Sequence, residues 1–144
     1  MVTAILRITG SPRLSAPADP PGRRSLGILL LSGASSRIHA ALMLAATAAA
    51  LGRAVMLFAT DAGAPALLAS EAAGQEPAEE ARRRSLGVAT CAELRAAAVE
   101  LGVRLVACET AMRLGGVAAA DLAAGVEVAG MATLLGAADE IVSF

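Results

Sequence analysis

The chain has no lysine, tryptophan or tyrosine, and its 144 residues include only two aromatics, Phe58 and Phe144. The missing lysine excludes a Schiff-base nucleophile, the phosphate lysine of a Walker-type loop and a Ser-Lys dyad. Without aromatic rings there is no platform on which bases stack, so the usual apparatus of single-strand binding is missing. One histidine, His39, does not make a histidine-cluster metal site, and no metal or other cofactor is expected. Two cysteines, Cys91 and Cys108, form neither a disulfide scaffold nor a C-x-x-C pair, which fits a reducing, cytoplasmic setting. No apolar run is long enough to span a bilayer. Leu26 to Leu31 breaks at once into Ser-Gly-Ala-Ser-Ser-Arg, no cleavage site follows, and Ala40 to Leu51 is short and mostly alanine.

What is present is 56% hydrophobic, much of it alanine, enough at this length for one domain with its own core. The net charge of −1 is uneven: Arg7, Arg13, Arg23 and Arg24 against Asp19 give the first 25 residues +3, leaving −4 for the rest. A mildly acidic body argues against nucleic acid as a partner. Residues 1–25, with Pro12, Pro17, Pro20 and Pro21, read as a flexible tail, and 26–144 as the domain.

Within the domain, apolar runs of strand length alternate with helical stretches. Leu26 to Leu31 and Arg53 to Ala59 read as buried strands, flanking a helix that Ser35 or Ser36 caps and Gly52 ends. Residues 71–87, with two glutamates followed by three arginines, read as a polar surface excursion in which Glu79 and Glu80 face Arg83 and Arg84 at helical spacing. Thr90 and Glu93 make a capping box for a helix from Cys91 to Leu101. A strand, Val103 to Ala107, then leads to Cys108 and another helix. Short segments follow: a helical turn at 119–124, a strand at 126–129, a helix at 131–135 and a last strand at 140–144. This alternation implies an α/β fold, a three-layer flavodoxin-like arrangement around a five-stranded parallel sheet. Right-handed crossovers suggest the order 2-1-3-4-5.

In that order a crevice opens between strands 1 and 3 at their carboxyl ends, where Ser32, Gly33 and Ser35 would meet Cys108. A thiol at a helix N-terminus faces unsatisfied N–H groups, which favours the thiolate and makes Cys108 the candidate catalytic residue. The competing reading is an inert buried cysteine, and the adjacent Glu109 would oppose ionisation. Cys91 should reach the same sheet edge in a different layer, about 10 Å away, beyond disulfide reach without movement. It is an accessory candidate as a resolving thiol, or a helix-start cysteine with no role. His39 could reach the crevice as a base or donor, or be a half-exposed helix histidine. Met112 reads as packing under the thiol, and Arg113 as a counter-charge for an anionic adduct or a plain surface residue. Ser-Gly-Ala-Ser-Ser before a helix resembles an anion-binding turn.

The blocks AALMLAATAAALG leading to AVMLFAT, ELRAAAVELGVRLVACETAM with Gly116, and DLAAGVEVAGMATLL resemble the DsrE/DsrF-like proteins of sulfur metabolism, in particular the peroxiredoxin-like branch, from Leu26 to Phe144. That resemblance implies a DsrE-like fold, homo-oligomers (trimer, hexamer or dimer), and a sulfur carrier or sulfurtransferase-like role with Cys108 as the persulfide-bearing residue. It also implies partners such as TusA-like carriers, rhodaneses or heterodisulfide-reductase-like complexes, and no peroxidase. Ala111 departs from the pattern, many relatives having serine there. The runner-up is a non-catalytic oligomeric module that binds a small anion or regulates a partner, and the third reading a thiol redox sensor using both cysteines.

Overall fold

The structure, a computed structural model, describes residues 23–70 and 76–144. Most of the expected tail and the start of the polar excursion lie outside the described residues. Five parallel strands make one sheet: β1 (Leu26–Leu30), β2 (Val55–Ala59), β3 (Arg104–Cys108), β4 (Glu127–Ala129) and β5 (Glu140–Ser143). Between them run α1 (Ser35–Ala50), a 3-10 segment (Asp61–Leu67), α2 (Pro77–Ser85), α3 (Cys91–Glu100), α4 (Glu109–Gly115) and α5 (Met131–Ala137). The alternation read from the apolar runs is therefore present.

The strand order is β4-β3-β2-β1-β5, which corrects the expected 2-1-3-4-5. The reason lies in the helices. α1 and α3 pack against each other on one face of the sheet. With right-handed crossovers, two connections on the same face must step in the same direction, which places β2 between β1 and β3. Only the last connection, through α5, returns across the sheet to set β5 beside β1, and α5 accordingly lies on the opposite face. Helices thus cover both faces, and the three-layer α/β character holds.

Alternate strand residues serve the two faces. Leu26, Ile28, Leu30, Val55, Leu57, Ala59, Leu105 and Ala107 form the larger core with Ile38, Ala41, Leu42 and Ala45 of α1. Alanine dominates that helix face, which lets α1 sit close to both the sheet and α3. Met56, Phe58, Val106 and Cys108 form the smaller core, closed by Leu134 of α5 and Ala111 of α4. Leu134 is the only buried residue of α5. Gly27 lets it approach: a Cβ there would lie 2.7 Å from Leu134 Cδ1 and 2.8 Å from Ala138 Cβ.

Thr90 caps α3 in the expected box: its hydroxyl accepts from Glu93 N–H at 3.3 Å, and Glu93 Oε2 accepts from Thr90 N–H at 2.7 Å. The expected cap of α1 by Ser35 or Ser36 is corrected, since Ala34 is the N-cap and contributes no side-chain bond. Ser32 Oγ instead accepts from Ala34 N–H at 3.1 Å, bending the chain one step earlier. Among the described residues no helix is long and apolar enough to cross a membrane.

Candidate functional site

Cys108 ends β3 and is itself the N-cap of α4, as the strand-cysteine-helix order predicts. It is 6% exposed. β3 pairs with β2 through Ala59↔Ala107, so one step further along the ladder Thr60 comes beside Cys108. Thr60 is buried, and its N–H is held by Leu30 O at 2.9 Å. The thiol thus ends a strand in contact with a neighbouring hydroxyl and with the first turn of its own helix.

Burial is the largest single influence on the Cys108 thiol and opposes its ionisation. Hydrogen bonding from the Thr60 hydroxyl, from the N–H groups of Ala111 and Thr110, and from the Thr110 hydroxyl outweighs it, and the pKa falls below the ordinary value. Charged side chains are not among these leading influences. Glu109, next in sequence, pairs with Arg113 across one turn at 2.6 Å on the exposed side of α4.

The backbone around Thr60 is tightly fixed. Asp61 adopts φ 46, in the left-handed region that aspartate tolerates better than most residues. Gly63 lies so close to β1 that a Cβ there would sit 2.4 Å from Leu30 O. Gly33 lies against the same segment, where a Cβ would be 2.7 Å from Ala62 O. Gly33 is therefore a packing glycine that seats the β1–α1 turn on the 3-10 segment.

The other candidates are placed as follows. Ser32, Gly33 and Ser35 follow β1, and β2 stands between them and β3, about two strand spacings or ~10 Å away in the sheet. The expected crevice between strands 1 and 3 is thus not formed. Met112 belongs to the larger core rather than to the cluster that holds Cys108. His39 Nε2 hydrogen-bonds Ala89 O at 2.9 Å, tying α1 to the segment before α3.

Cys91 is fully buried in the larger core, so the two thiols lie toward opposite faces of the sheet, and both are free. Its N–H donates to Glu80 Oε2 at 2.9 Å. Arg83 pairs with Glu80 and donates to Ser35 Oγ at 2.9 Å, with Nη1 3.8 Å from Cys91 Sγ. Burial, then the hydrogen bond and negative charge of Glu80, push the Cys91 thiol up to about 12, and Arg83 and Arg95 offset only part of this. At neutral pH it is protonated and a poor nucleophile. The glutamate-arginine pairing expected at helical spacing forms between Glu80 and Arg83, but it points inward rather than lying on a solvated face.

Thr60 and Thr110 were not singled out from the sequence, and Glu80 and Arg83 were read as partners on a solvated surface rather than as a buried pair. Thr60 closes the run Val-Met-Leu-Phe-Ala-Thr and would have been found had β2 been placed next to β3. Among the described residues no group of three or more histidine, cysteine, aspartate or glutamate side chains is arranged to hold a metal ion.

Residues 79–142 match the model of the DsrE/DsrF/DrsH-like family, so the family resemblance read from the sequence stands on the segment that contains Cys108. No curated protein matches the chain significantly. Among solved structures, the YchN protein from E. coli is similar at 20% identity and a TM-score of 0.63, covering 85% of this chain and 100% of that one. A protein of unknown function, MTH1491 from Methanobacterium thermoautotrophicum, is similar at 18% identity and a TM-score of 0.53, with the same coverage. These likenesses show a shared fold.

Proposed function

From the DsrE/DsrF/DrsH-like match over 79–142, a family associated with sulfur relay in general, we propose that this chain is a sulfur carrier. It accepts sulfane sulfur on Cys108 as a persulfide and passes it to a partner thiol. The observation that carries this reading is the position of Cys108, buried at the end of β3 and at the N-cap of α4, where hydroxyls and backbone N–H groups hold its thiol below the ordinary pKa. Such a site favours the anion of a cysteine, and the anion of a cysteine persulfide, without a fixed counter-charge.

In the loading step the Cys108 thiolate attacks the outer sulfur of a donor persulfide, R–S–SH. A new S–S bond forms at Cys108, the donor S–S bond breaks, and R–S⁻ leaves and is protonated by solvent. In the unloading step an acceptor thiolate attacks the outer sulfur, and Cys108 leaves as the thiolate stabilised by Thr60 and Thr110. One S–S bond is exchanged for another in each step, so no external oxidant or reductant enters. The reading carries with it a homo-oligomer in a reducing compartment, with TusA-like or rhodanese-like proteins as donors or acceptors.

The test is the intact mass of the reduced protein after incubation with a persulfide donor, for the wild type, Cys108→Ser and Cys91→Ser. The expected result is a DTT-reversible gain of one sulfur atom that disappears only in Cys108→Ser. No gain in the wild type would overturn the carrier reading and favour a module that binds a small anion.

A further inference from the structure

Among the described residues, α2 differs from every other helix. Its sequence, Pro-Ala-Glu-Glu-Ala-Arg-Arg-Arg-Ser, contains only two apolar side chains besides the proline, Ala78 and Ala81, and both are exposed. Its one buried residue is Glu80, a carboxylate. The helix is therefore not seated by the hydrophobic effect, which seats α1, α3 and α5.

Side-chain polar contacts hold it instead. Glu80 accepts the N–H of Cys91, the first residue of α3. Arg83 pairs with Glu80 and reaches Ser35, the first residue of α1, donating to its hydroxyl at 2.9 Å and its carbonyl at 3.4 Å. One glutamate and one arginine thus clasp the starts of two helices. Both starts lie at the carboxyl edge of the sheet, because α1 leaves β1 there and α3 begins there before descending to β3.

The segment after α2 closes it with a left-handed glycine: Gly87 takes φ 69, and Val88 N–H returns to Arg83 O at 2.9 Å, so 86–88 move with the helix and the exposed Val88–Ala89 step is where the chain can turn. Immediately beyond it the chain is fixed again, by the hydrogen bond between His39 and Ala89 O and by the Thr90 capping box.

We propose that α2, with its glycine cap, is a strap that lifts off the carboxyl edge as a unit, turning at 88–89, without unfolding the sheet or the helices it covers. The Glu80–Arg83 clasp sets how often it opens. Opening bares the starts of α1 and α3 and the Cys91 thiol, on the side of the sheet away from the Cys108 cluster. Such sub-global opening belongs to the low-stability end of a fold's motions. This device is independent of whether Cys108 carries sulfur.

Cys91 is the built-in reporter. The wild-type chain is treated with iodoacetamide at pH 8 over a range of low urea concentrations, and alkylation of each cysteine is followed by peptide mapping. If the strap opens alone, Cys91 labelling is nearly independent of urea at low concentration, because little surface is exposed in the opening. Arg83→Gln and Glu80→Gln each raise that rate tenfold or more. Labelling of Cys91 that climbs from the first increment of urea with the slope of global unfolding overturns the proposal, and the wild type alone decides this if a variant fails to fold. Unchanged Cys91 labelling in folded Arg83→Gln and Glu80→Gln overturns the role of the clasp.

Discussion

Thr60 stands beside Cys108 one step beyond the last paired residues of β2 and β3, and its hydroxyl is the strongest of the groups that lower the Cys108 pKa. The two residues are 48 positions apart in the chain. What joins them is the adjacency of two strands, so the chemistry of the thiol is a property of the sheet order.

Thr60→Val tests that relationship. Valine preserves the branched shape and the backbone bond to Leu30 O, and removes only the hydroxyl. The pH at which Cys108 is half-ionised, read from the pH dependence of its alkylation rate, moves upward, and reactivity at neutral pH falls. Global stability changes by only about 1 kcal/mol. An unshifted pH profile in a folded Thr60→Val protein would show that the helix N–H groups suffice.

Cys91 makes an opposite, alkaline contribution. Its thiol is raised from an ordinary 9.0 to about 12 in the folded chain. Between these limits the unfolded chain has lost this proton while the folded chain retains it, so folding stability is full below about pH 9 and declines as pH rises toward 12. The slope from one such proton is at most about 1.4 kcal/mol per pH unit. Urea unfolding of wild type and Cys91→Ala from pH 8 to 11 checks this: the wild type loses stability more steeply, and the difference between the two proteins isolates the thiol.

The local elements were legible because their signals are local. Leu26–Leu30 and Val55–Ala59 are unbroken apolar runs, and Thr90 with Glu93 is a cap that needs no tertiary context. The placement of Cys108 at a strand-to-helix junction was legible for the same reason. Strand order was not, because it depends on which face each helix chooses, and the alanine-rich surface of α1 does not announce that α3 lies against it. That one non-local choice hid Thr60 and assembled Ser32, Gly33 and Ser35 with Cys108 across a gap that β2 fills. Glu80 and Arg83 were misread for a related reason: a charged helix reads as solvated unless the two helix starts that bury the pair are known to converge.

Gly63→Ala probes how the 3-10 segment holds Thr60. The new Cβ would meet Leu30 O at 2.4 Å, a backbone atom that cannot rotate away, so the segment must shift from β1. A loss of about 1–3 kcal/mol is expected from urea unfolding. Gly63 N–H is bonded to Thr60 O at 2.9 Å, so the shift is carried toward the thiol and slows Cys108 alkylation at neutral pH.

Gly27 and Leu134 should be coupled. Leu134 is the sole buried anchor of α5, and Leu134→Ala leaves a void over Phe58 and Met56 that costs about 2–5 kcal/mol. Gly27→Ala brings a Cβ to 2.7 Å from Leu134 Cδ1 and 2.8 Å from Ala138 Cβ, forcing α5 off the sheet. In the double variant the first of these clashes is gone, and the added methyl occupies part of the space that Leu134 vacates. The clash with Ala138 persists, so the relief is incomplete. Urea unfolding of the four proteins in a cycle should therefore show a double variant less destabilised than the sum of the two singles, by about 0.5–3 kcal/mol. Strict additivity would mean that α5 is held by contacts other than the one between this glycine and this leucine.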